Sequence, residues 1–208
     1  MKMKAIEYGL SFEEFKEINR MAGILNKTRT LIEEEGFDRD TATALMFELN
    51  KLMSSYEREE HKECVLSPQA IETLKKLKKD SHDIGIVTNT SESELLKIFN
   101  RFGIEKYVDA YITRDNLRYV KPYPDSLIEI LGKLNTSRFF YIGDSDHDAE
   151  AVKRALRLGK NNLYGKFLLI NTRRYDEKAL ASMKPYAVIQ SLNEIFPLLI
   201  KNSDNNKL

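Results

Sequence analysis

The stretch Arg138-Phe139-Phe140-Tyr141-Ile142-Gly143-Asp144-Ser145-Asp146-His147-Asp148 decides the fold. An apolar run turns at a glycine and passes directly into an acidic helix start, with the helix pattern continuing over Asp146–Leu158 to a stop at Gly159. That succession is the strand-to-helix half of a parallel βαβ unit, in which ligands gather beyond the carboxyl ends of the strands. Helix capping and the helix dipole account for one or two of the aspartates. Asp144, Asp146 and Asp148 fall within five residues, where mutual repulsion calls for a cation. Mg²⁺ suits such a cluster, because it takes one or two carboxylates together with water and phosphate oxygens. An EF-hand reading fails, since Ala149 stands where the loop needs glycine and Ala155 where it needs glutamate.

The same alternation extends to both sides. Upstream, Ser67-Pro68 opens a helix over Gln69–Lys79, and Asp83–Thr88 reads as a short strand. A Ser91/Glu94 capping box starts a helix that closes at Gly103, followed by a weaker strand at Ala110–Thr113 and a helix over Pro124–Leu134. Downstream, Lys166–Ile170 and Ala187–Ile189 read as strands, and Ser191 with Glu194 caps the last helix. Lys160–Lys184 is longer than such a unit requires and carries no evident function, and the polar residues from Lys201 onward are expected to fray.

Before Leu66 every segment reads as helix. A Ser11/Glu14 box is expected to open one through Met21, Asn26–Glu35 forms a second, and Asp38 caps a long third with Ala42, Leu45, Met46, Leu49 and Met53 on one stripe. The expected class is α/β, a parallel sheet with helices on both faces and a small all-helical subdomain. The divisions are 1–65 for the helical subdomain, 66–200 for the core and 201–208 for a polar tail.

Lys+Arg at 33 against Asp+Glu at 32 removes any electrostatic case for nucleic acid or an anionic membrane as the main partner. The one cysteine, Cys64, excludes an intrachain disulfide and reads as a small hydrophobe in a reducing, cytoplasmic setting. No apolar run reaches the roughly 18–20 residues of a membrane span.

Two further strand ends carry chemistry. Thr88 and Asn89 follow Ile84–Val87, where Thr88 is either a strand or cap residue or a hydroxyl for an anion. Lys121, in Val120-Lys121-Pro122-Tyr123-Pro124, is stiffened by two prolines, which separates it from an ordinary surface lysine and suits it to a phosphate.

In order, these residues resemble the haloacid dehalogenase-like hydrolase superfamily over about Ser67–Leu199, roughly two-thirds of the chain. Ile84-Gly85-Ile86-Val87-Thr88-Asn89 is similar to that family's second motif, Lys121-Pro122-Tyr123-Pro124 to its third, and Gly143-Asp144 through Asp148 to its fourth. The resemblance implies a Rossmann-like core, that Thr88, Asn89 and Lys121 bind a phosphoryl group, that Asp144 and Asp148 hold Mg²⁺, and that the helical segment, residues 1–65, is a small all-helical cap over the site. It implies hydrolysis of a small phosphorylated metabolite through an aspartyl-phosphate. A dehalogenase proper is disfavoured, because that chemistry needs no Mg²⁺.

The family's first motif, Asp-x-Asp after a central strand, has no match. Phe37-Asp38-Arg39-Asp40 has the spelling but follows a helix end, so it reads as a helix start. Met3–Ser11 reads either as a degenerate first strand, with Gly9 and Ser11 where the two aspartates should stand, or as the helix tail Met1–Tyr8 with Gly9 and Ser11 as stop and start. The second is favoured, since Glu7 would interrupt a buried strand. The strands at Ile84 and Phe139 are therefore expected to lack the strand that belongs between them, with the nucleophile expected upstream of Met1. The alternative is an inactive phosphate- or partner-binding protein.

Overall fold

Leu10, Phe15, Leu25, Leu45 and Leu49 are almost fully buried, and the helices at the start of the chain form around them. The computed structural model describes residues 1–158, 162–170 and 175–204. Helix α1 (Lys2–Glu7) ends at Gly9, whose φ of 97° only glycine adopts without strain. It is followed by α2 (Met21–Glu34) and α3 (Arg39–Glu60). Asp38 Oδ1 accepts from the N–H groups of Asp40 and Thr41, both at 3.0 Å, so the Asp-x-Asp spelling there is a helix cap as expected.

The helix expected from Ser11 to Met21 does not form. Phe12–Phe15 is a single 3₁₀ turn, and Ser11 makes no side-chain cap bond. The chain breaks because its two ends are drawn apart: Phe15 sinks into the helical core, while Arg20 reaches Asp146 at 2.6 Å. Met21, the expected helix end, is instead the first residue of α2.

The rest alternates. Helix α4 (Ala70–Lys79) leads to β1 (Gly85–Val87), α5 (Glu92–Phe102), β2 (Ala110–Ile112), α6 (Asp125–Lys133) and β3 (Arg138–Gly143). Then come α7 (Asp146–Arg157), β4 (Tyr164–Ile170), α8 (Glu177–Met183), β5 (Ala187–Ile189) and α9 (Ile195–Asp204). The cap of α4 is Gln69, in the left-handed region at φ 64°, in place of Ser67. The Ser91/Glu94 box is absent: Glu57 of α3 takes the Ser91 N–H at 3.3 Å, and Glu94 pairs with Lys97 at 2.6 Å. The Ser191/Glu194 box is present. Helix α9 runs past Lys201 to Asp204, with Ile195, Leu198 and Leu199 packed in the core. Residues 205–208 and the expected stop at Gly159 lie outside the described residues. So do 160–161 and 171–174 of the unexplained stretch, whose remainder includes β4 and α8.

Among the described residues the strand pairs are all parallel and form two sheets: β1 with β2, and β3–β4–β5 in that order. The interruption lies where the sequence leaves a strand missing. Ile84 O accepts from Asp109 N, and Thr88 N donates to Ile112 O. The backbone of β1 thus faces β2 at alternate residues, leaving Gly85 and Val87 turned away. On β3, Tyr164 N bonds Ser137 O, so Phe140 and Ile142 turn away from β4. A cleft of about 630 Å³ separates these edges. It is lined by Leu127, Ile130 and Leu131 of α6, by Leu74 and Leu77 of α4 and by Ile195 of α9, together with polar residues such as Asp83, Arg138 and Lys166. No helix among the described residues is long and apolar enough to cross a membrane.

Candidate active site

Lys121 is the centre of the site. Its ammonium donates to Val87 O at the end of β1 (3.1 Å), to the Tyr141 hydroxyl on β3 (3.3 Å) and to Asp148 Oδ1 on α7 (2.7 Å). One cation thereby ties the two half-sheets together at their carboxyl ends. Asp148 is 4% exposed and accepts four donors. Tyr141 shares Oδ1 at 2.9 Å, while the Ser145 N–H and hydroxyl occupy Oδ2. Gly143 makes this approach possible, since a Cβ there would lie 2.5 Å from the Asp148 Cβ. The glycine of the Gly-Asp pair is thus required for close packing.

The electrostatics follow the geometry. Burial alone would raise the Asp148 carboxyl, but Lys121 and the hydrogen bonds from Lys121, Ser145 and Tyr141 outweigh it and hold its pKa below the usual value. Burial first, then the Asp148 and Asp144 charges, push the Tyr141 hydroxyl well above its ordinary pKa, so it stays a proton donor. Burial and the neighbouring Arg20 charge lower the His147 pKa. Arg20 likewise brings Asp146 below its ordinary value against the effect of burial, and the Arg20–Asp146 pair is about half exposed.

Of the residues singled out in the sequence, Lys121 and Asp148 meet directly, and Asp144 follows Gly143 at the same strand end. Thr88 lies at the end of β1, its hydroxyl accepting from Thr90 N at 3.1 Å in a local turn. Asn89 has another task. Its carboxamide brackets the Lys121 backbone, donating to Lys121 O and accepting from Lys121 N, each at 3.1 Å. Tyr141 and Ser145 are partners that sequence reasoning passed over; a hydroxyl-bearing residue inside a buried strand was the available signal for Tyr141.

Among the described residues no three His, Cys, Asp or Glu side chains gather as metal ligands. Asp144 and Asp148 remain as a pair of carboxylates, which is the protein share that Mg²⁺ uses when water and substrate complete its shell. Both Asp148 oxygens are engaged by Lys121, Tyr141 and Ser145, so Asp148 would reach such an ion only by giving up one of those partners.

The known proteins this chain resembles agree in kind. It is 25% identical over 147 residues to a pyrophosphatase PpaX of Bacillus mycoides, a match spanning 69% of this chain and 65% of that protein. The PpaX of Bacillus thuringiensis strain Al Hakam is 24% identical over 165 residues, 76% of this chain and 71% of that one. A Pseudomonas syringae hydrolase superposes with a TM-score of 0.61 at 19% identity, covering 96% of this chain and 87% of its own. The β-phosphoglucomutase of Clostridium difficile gives 0.56 at 18%, covering 99% and 87%. The profile of haloacid dehalogenase-like hydrolases matches residues 4–156, well over half of the sequence. On that match, and on the parallel α/β fold it shares with those structures, the chain belongs to the haloacid dehalogenase-like hydrolase family.

Proposed function

We propose that this protein serves Mg²⁺-dependent hydrolysis of a small phosphomonoester in the cytoplasm, with residues 1–65 acting as the cap over the site. The observation that carries the reading is the Lys121 ammonium, anchored on Val87 O, Tyr141 and Asp148 where both half-sheets end. A partly buried cation fixed in this way offsets charge that builds on a transferring phosphoryl group. Thr88, the backbone N–H of Asn89 and Lys121 would bind phosphate oxygens. Asp144 and Asp148 would hold Mg²⁺, which when bound supplies further neutralisation of phosphate charge. Tyr141 keeps its proton and holds Asp148 in place.

The attacking carboxylate, on this reading, comes with an extended apolar segment seated in the cleft between β1 and β3. Such a segment would pair with the outward backbone of Gly85, Val87, Phe140 and Ile142 and deliver the residues after it beside Lys121. The test is p-nitrophenyl phosphate turnover, with and without Mg²⁺, for the chain alone and for a version extended at its N-terminus by an apolar strand followed by Asp-x-Asp. Mg²⁺-dependent turnover in the extended protein, abolished by Asp144→Asn, is the expected result. No Mg²⁺-dependent turnover in either protein would leave the second reading, an inactive phosphate- or partner-binding member of the family.

A further inference from the structure

Lys121 is held by its backbone from two sides, and the second side is the helical segment. Val120 N donates to Asn26 Oδ1 and Asn26 Nδ2 donates to Val120 O, both at 2.9 Å. Asn26 lies on α2 and is 4% exposed. Asn89, in the α/β part, makes the same two-bond bracket on the next residue, Lys121 itself. Two carboxamides thus imitate strand pairing on consecutive residues, one from each part of the molecule. The Val120 side chain is fully buried in the hydrophobic cluster of the helical segment, with Leu25 and Leu45, while the next side chain reaches the site. Arg29 of α2 adds bonds to the carbonyls of Leu117 and Arg118.

A second connection runs through Arg114, which is fully buried. It pairs with Glu57 and bonds Asn50 and Ser54, all on α3, and it donates to Asn89 O at 3.0 Å. The helical segment thus grips the lysine loop directly through Asn26 and indirectly through Arg114 and Asn89.

We propose that Asn26 is a positioning residue: through its paired hydrogen bonds to Val120, the helical segment sets where the Lys121 ammonium stands. The inference rests on the phosphate role of Lys121 only for its functional consequence, and its geometry can be tested without it. The primary readout is the Lys121 side-chain NMR signal in protein carrying ¹⁵N-lysine, assigned with Lys121→Arg. Asn26→Leu keeps the side-chain size and removes both bonds, so the Lys121 signal is expected to move. Asn26→Asp keeps the acceptor and loses the donor, and should move it less. Leu45→Ala serves as the control, because it loosens the same helical core without removing either bond, and should leave the signal in place. The second readout is inorganic phosphate binding, expected to weaken about tenfold in Asn26→Leu and less than twofold in Leu45→Ala. An unmoved Lys121 signal in folded Asn26→Leu and Asn26→Asp, or an equal shift in Leu45→Ala, would overturn the proposal. Absence of phosphate binding in the unaltered protein would instead count against the proposed function, with the NMR result still deciding the role of Asn26.

Discussion

The ring of bonds around Lys121 and the cleft beside it are built from the same two strands, β1 and β3, yet they are opposites. At the carboxyl ends, the Lys121 ammonium has three oxygen partners and the Asp148 carboxylate four donors. A few residues earlier along the same strands, the outward backbone of Gly85, Phe140 and Ile142 faces a cleft of about 630 Å³. The difference teaches that the polar site does not depend on a continuous sheet for its assembly. It is held from above, by the loop that carries Lys121 and by the helices that grip that loop.

The largest test attacks that grip. Arg114→Met leaves Glu57 buried without its cation, and loss of one partner of a buried pair costs on the order of 3–5 kcal/mol. Urea denaturation should show that loss, and Arg114→Met combined with Glu57→Leu should recover much of it. A double variant as unstable as the single would mean that packing, and not the charge pair, joins the two parts.

Next in size is Gly143→Ala. The added Cβ meets the Asp148 side chain, so either β3 or the Lys121–Asp148 contact must move, at about 1–3 kcal/mol. Thermal denaturation measures the cost. A stability equal to that of the parent would show that the close approach is not needed.

The cleft side predicts a pattern of hydrogen exchange. The amides of Gly85, Phe140 and Ile142 should exchange at least about tenfold faster than those of Ile86 and Tyr141, which face paired strands. Extension with an apolar strand that fills the cleft should remove the contrast. Equal protection on both sides from the outset would mean that the edges are already covered.

The smallest effect lies at the far end of β2. Lys78, at 2.7 Å, and the Ile84 N–H lower the Asp109 pKa. A depressed carboxyl contributes stability above its unfolded value, near 3.8, and loses it as pH falls through the folded value. The parent should therefore exceed Asp109→Asn by at most about 1 kcal/mol at neutral pH, given the partial exposure of the pair. That margin should shrink on acidification below about pH 4; a margin that grows would reverse the sign of the argument.

Much of the α/β part was legible because its signals are local. The run from Arg138 to Asp148 holds strand, terminal glycine and helix start within eleven residues, and β3 and α7 form there, whereas the close packing of Gly143 against Asp148 shows only in the structure. Asp38 was legible as a cap for the same reason. The Ser11 helix was misread because its residues satisfy the local rule while Phe15 and Arg20 answer to distant neighbours. Ser91 failed in the same way, its N–H having gone to Glu57 on α3. Asn26 and Arg114 were not legible at all. Their partners lie 94 and 57 residues away, and a lone Asn or Arg in a helical or turn sequence carries no mark of that.

The buried Arg114 also bears on motion. To swing α3 away from the α/β part, the guanidinium must give up Glu57, Asn50 and Ser54 together and exchange them for water. At about 4 kcal/mol, such an opening is populated about once in a thousand molecules. A ligand that waited for it would bind about a thousandfold more weakly than the site itself allows. The Arg20–Asp146 pair, about half exposed, parts at little cost, so of the contacts between the helical segment and the α/β part it is the one that yields before Arg114 does.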